Sequence, residues 1–108
     1  KPETSDMRDS PTLDLVRELR RRGAIILGHD PLVNSAEIEA LGVCVKKIEE
    51  GFKAAQAVIV MIDHPLYADL DIVSLARLAK GPLVIMDSWH LYKASEFNKT
   101  NNIIYLSI

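Results

Sequence analysis

The chain has 108 residues, of which 48% are hydrophobic and 26% charged, with a formal net charge of −2. That suffices for one modest core and falls short of an enzyme that holds two substrates in separate domains. The charge balance excludes a global basic field for gathering nucleic acid, and the longest apolar run, residues 57–62, is far too short to span a membrane.

The single cysteine, Cys44, precludes an internal disulfide and points to a reducing compartment. No charged-then-apolar segment opens the sequence, so the expected location is cytoplasmic. Cys44 sits in Gly-Val-Cys-Val, a setting that predicts a buried small hydrophobe and not a nucleophile.

In chain order, residues 1–11 form a polar loop rich in charge and side-chain oxygen. Ser10 suits a helix N-cap and Pro11 the first helical position, where its missing N–H costs nothing. The first helix is expected from Pro11 to Arg22, with Leu13, Val16 and Leu19 on one stripe and Gly23 as its stop. Arg17, Arg20, Arg21 and Arg22 fall in its last turns, where cations complement the helix dipole. Residues 24–28 read as a strand apolar on both faces, closed by His29-Asp30-Pro31. Short helices follow over Ser35–Leu41, ended by Gly42, and Lys47–Ala55, with Ile48 and Phe52 inward. Val58–Ile62 is the clearest strand, and Asp63-His64-Pro65 ends it. A helix over Asp71–Ala79 presents Ile72, Leu75 and Leu78 on one face, before strands at Leu83–Met86, closed by Asp87, and Ile103–Leu106. Alternating strands and helices at this spacing predict one α/β doubly wound domain over residues 1–108, with a mainly parallel sheet.

Ligands of such sheets bind beyond the carboxyl ends of the strands. All three histidines map there, each near an aspartate: His29 with Asp30, His64 with Asp63, His90 with Asp87. These sets suit either a ligand rim or plain turn and cap chemistry, and their spacing lacks the tight clustering of metal ligands. No Gly-x-Gly-x-x-Gly, phosphate-loop or Gly-x-Ser-x-Gly motif occurs, so the chain offers no dinucleotide cradle and no catalytic constellation. Lys1 and Arg8 are the leading anion-binding candidates, Lys1 as a point charge and Arg8 as a planar fork. Pairing of Arg8 with Asp6 or Asp9 is the alternative.

The order Lys1, Thr4-x-Asp6-x-Arg8, Ser10-Pro11 resembles the motif that opens the C-terminal domain of the UDP-glucose/GDP-mannose dehydrogenase family. The likeness continues through Arg22-Gly23-Ala24, His29-Asp30-Pro31, Ala55-Gln56-Ala57 and the closing Tyr105-containing strand. It implies a UDP-sugar-binding domain of an NAD-dependent nucleotide-sugar 6-dehydrogenase. NAD would be bound by a separate domain, a central domain would dimerise, and the parent would be a homo-oligomer; the fragment alone is expected to be non-catalytic. In the family an apolar strand precedes the matching Lys, so this chain reads as a domain lacking its innermost strand. The resemblance carries Lys1 into the nucleotide site and has Arg8 and Ser10 shaping the loop. Asp87-Ser88-Trp89 stands where the family commonly has Asp-x-Arg. Trp89 then either stacks on a base, packs in the core, or marks a module that has lost its nucleotide site, with Lys93 a second source of charge.

Overall fold

The computed structural model describes residues 11–107, so Lys1, Arg8 and Ser10 lie outside the described residues. The described chain divides into two compact units, residues 11–48 and 49–107.

In the first unit, α1 (Pro11–Arg21) buries Leu13 and Val16, while Leu19 stays half-buried. The helix stops as its sequence predicts. Gly23 adopts φ +91°, its N–H bonds the carbonyl of Arg20 at 2.9 Å, and the N–H of Ala24 reaches back to Leu19 at 3.0 Å. Only glycine enters that left-handed conformation without strain from a Cβ. The basic helix end is internally compensated: Arg21 and Arg22 both pair with Glu18, and Arg20 donates to the carbonyl of Leu41. Strands β1 (Leu27–Gly28) and β2 (Cys44–Val45) pair in parallel on either side of α2 (Ser35–Ala40) in sequence. Asn34 caps α2 by accepting the N–H of Ala36 at 2.7 Å. Val16, Val33, Ile38 and Val43 form the core, with Ile26, Leu41 and Val45 packed against it.

Two expectations fail here. The strand over residues 24–28 shrinks to two paired residues, and Ile25 is 88% exposed. Cys44 is exposed, because side chains alternate along a strand and Val43 takes the inward place. The strand at Cys44–Val45 is also absent from the sequence reading, since two residues are too few to show a period.

The second unit opens within α3 (Ile48–Ala54), one residue after its start, and α3 buries Phe52. Strands β3 (Ala57–Val60), β4 (Leu83–Asp87) and β5 (Ile103–Ser107) form a parallel sheet in the order β3-β4-β5. Between β3 and β4 lie α4 (Pro65–Ala68), which the sequence reading does not contain, and α5 (Ile72–Ala76). Asp71 caps α5 through both carboxylate oxygens to Ser74. The helix ends three residues before the expected Ala79, so Ala76 takes the buried position assigned to Leu78, which is exposed. The central strand β4 carries the core residues Leu83 and Ile85, at 1% and 0% exposure.

The expected parallel α/β architecture with flanking helices is thus present, but its strands fall into two sheets and not one. Among the described residues, β1 and β3 each have a strand neighbour on one side only.

Two glycines provide a test of local packing. A Cβ on Gly28 would come 2.6 Å from Val43 Cγ1, whereas one on Gly51, inside α3, would meet nothing within 4 Å. Gly28→Ala should destabilise by about 1–3 kcal/mol through overpacking. Gly51→Ala should stabilise by about 0.5–1 kcal/mol through helix propensity. Urea unfolding followed by far-UV circular dichroism measures both.

Candidate functional site

Asp87, the last residue of β4, is fully buried although a carboxylate normally seeks water. Its hydration is replaced by protein donors. Oδ2 accepts the Tyr105 hydroxyl at 2.6 Å and the Tyr92 N–H at 2.9 Å, and Oδ1 accepts the Trp89 N–H at 3.2 Å. Burial by itself raises the carboxyl pKa. The Tyr105 hydroxyl and the N–H groups of Tyr92, Leu91 and Trp89 together outweigh it and hold the group below its ordinary 3.8.

The same bonds wrap the chain after β4 around the carboxylate. Tyr105 stacks on Phe97 with ring centroids 4.9 Å apart, and its hydroxyl lies 2.9 Å from the carbonyl of Tyr92. Tyr92 in turn donates its hydroxyl to the carbonyl of Tyr67. Burial, then the negative charge of Asp87, pushes Tyr92 up to about 12. Burial and the bond to Asp87 push Tyr105 up to about 12 as well.

What this frame presents is Trp89, 44% exposed beyond the carboxyl end of β4. Its indole N–H donates to the carbonyl of Met61, after β3, at 2.9 Å, so the ring is pinned at its polar edge while much of its surface meets solvent. The core-packing alternative is therefore not realised. Next to it, His90 takes φ +55°, a left-handed conformation that strains a residue with a Cβ, and its Nδ1 lies 2.7 Å from Ser107 Oγ at the end of β5. Trp89, His90 and Ser107 thus share the carboxyl edge of the three-stranded sheet, where ligands of such sheets bind.

Of the remaining Asp/His candidates, Asp30 and His64 take turn and cap roles. Asp30 accepts the N–H groups of Leu32 and Val33, and His64 Nδ1 accepts the N–H of Leu66 as the cap of α4. Asp63 is exposed, and Lys93 lends its backbone N–H to Glu96. Asp87 is turned inward, so it stabilises the rim without facing it. Among the described residues, no three His, Cys, Asp or Glu side chains converge to hold a metal ion, and no helix is long and apolar enough to cross a membrane. The sequence reading missed Tyr92 and Tyr105 as partners of Asp87. An aspartate that ends a strand predicts the local bond to the N–H two residues on, but nothing in sequence reports a hydroxyl eighteen positions away.

Comparison with known proteins matches residues 1–94 to the profile of the UDP-glucose/GDP-mannose dehydrogenase family, UDP binding domain. The chain is 28% identical over 108 residues to the UDP-glucose 6-dehydrogenase TuaD of Bacillus subtilis, covering 97% of this chain and 23% of that protein. It is 33% identical over 102 residues to a UDP-glucose 6-dehydrogenase of Rhizobium meliloti, covering 92% of this chain and 23% of that protein. The chain thus spans about a quarter of the length of the curated relatives it matches.

The Asp87 frame predicts how stability depends on pH. Because the folded carboxyl pKa is depressed, its contribution is complete above the unfolded value of about 3.9 and is lost as pH falls through the lower folded value. The two tyrosines have folded values raised from 10.0 to about 12, so their contribution is complete below 10 and fades as pH climbs through that interval. Tyr105→Phe removes a donor from a buried charge. It should cost about 1–3 kcal/mol near neutrality and move the acid limb to higher pH, as urea unfolding at stepped pH would record.

Proposed function

Because the chain belongs to the UDP-glucose/GDP-mannose dehydrogenase family, we propose that it is the UDP-sugar-binding domain of a parent enzyme that oxidises the C6 alcohol of a nucleotide sugar to a carboxylate with NAD. The observation that carries this reading is Trp89, a half-exposed ring held by its indole N–H at the carboxyl edge of the sheet. An aromatic face of that kind stacks on a nucleobase, and anchoring it beforehand lowers the entropy lost on binding. It takes the place of the charged contact that an arginine would supply. Lys1 supplies charge to the diphosphate, and Arg8 contributes a planar fork or shapes the loop that carries Lys1.

The domain contributes binding and orientation, and its residues do not touch the reacting carbon. NAD belongs to another part of the parent chain. The turns after β1, β3 and β4 carry no glycine-rich run at which a pyrophosphate approaches the backbone closely. In this reading the parent is a cytoplasmic homo-oligomer whose further domains bind NAD and dimerise, and residues 1–108 form one UDP-sugar-binding domain without turnover of its own.

Titration calorimetry of the intact parent chain with UDP tests the assignment. Trp89→Ala should weaken UDP binding about 5- to 150-fold, as for loss of one stacked base, while Trp89→Phe should recover most of it. Lys1→Ala should weaken binding as well. Failure of the intact wild-type chain to bind UDP would overturn the proposal.

A further inference from the structure

At the other end of the three-stranded sheet, where β4 and β5 begin, lies an open concavity of about 240 Å³. Arg77, from the end of α5, Lys80, from the loop that follows, and Lys99, from the turn before β5, all line it, and no carboxylate does. The local charge is therefore +3 in a chain whose net charge is −2.

These cations are poorly compensated. Arg77 interacts electrostatically with Asp71. Among the described residues, Lys80 and Lys99 take part in no ion pair or side-chain hydrogen bond. The dipole of α5 does not account for them, since that helix has five residues and Lys99 comes from a different segment. The walls are held in place: Leu83 N–H donates to the carbonyl of Asn102 at 2.8 Å, and Thr100 Oγ1 to the carbonyl of Phe97 at 2.6 Å. Asn101 and Asn102 add amide groups to the lining.

We propose that this concavity is a second ligand site, for a small polyanion of phosphate chemistry such as a pyrophosphate chain. One planar guanidinium and two ammonium groups suit a compact tetrahedral oxyanion with several charges. No aromatic ring lines the concavity, so nothing there selects a base, in contrast to Trp89 at the opposite edge. A long polyanion is disfavoured because the hollow is small and the rest of the chain carries net negative charge. The site does not depend on the nucleotide reading of the carboxyl edge.

The test is calorimetric titration of the intact parent chain with pyrophosphate at low ionic strength, in the presence of saturating UDP, for the wild type and for a Lys80→Ala/Lys99→Ala double variant. The wild type should take up pyrophosphate, more weakly as salt is raised. The double variant should bind it roughly tenfold or more weakly, with unchanged UDP affinity and an unchanged melting curve. Absence of pyrophosphate binding by the wild type, or equal binding by the double variant, would overturn the site. Tighter binding of citrate, which offers comparable charge as carboxylates, would overturn its phosphate chemistry.

Discussion

The bond between the Tyr105 hydroxyl and the buried Asp87 carboxylate organises the second unit. A carboxylate with no solvent contact is unfavourable unless donors surround it, and here they come from the last strand and from the chain just after β4. Satisfying that charge ties β5 to β4 beyond their ladder and bends the backbone so that Trp89 emerges at the rim. The left-handed His90 lies within the same turn, one residue past Trp89. Strain at that residue persists because the bonds on either side over-determine the backbone there.

This arrangement separates the group that stabilises the frame from the group that faces solvent. The charged group at the strand end is inward and serves the frame, while the group that faces outward is an aromatic ring without formal charge. In the proposed function this rim meets its ligand by stacking on a fixed surface, with charge brought by other segments. The opposite edge of the same sheet has the reverse character, with three cations and no ring. Two chemically distinct edges on one small sheet follow from which residues the connecting loops place at each end of the strands.

Much of this was legible in the residues themselves. Helix stops at Gly23 and Gly42 and the strands around Val58, Ile85 and Ile104 follow from local chemistry: left-handed glycine and apolar runs. The failures cluster where burial depends on a neighbour. Ile25 lies in an apolar run yet is exposed, because only the two residues after Ile26 find a strand partner. Leu78 continues a helical stripe, but the helix ends at Ala76 and leaves it outside.

The sequence by itself determined the element types, the parallel α/β class and the family, because these rest on local conformational preferences and on an ordered set of short motifs. Tertiary structure decided what Asp87 and Trp89 do. An aspartate at a strand end reads equally as cap, ligand or rim acid, and a tryptophan beside it as core or platform. Only the approach of Tyr105 and of the Met61 carbonyl, contacts between segments far apart in the chain, turns the acid inward and leaves the ring facing solvent.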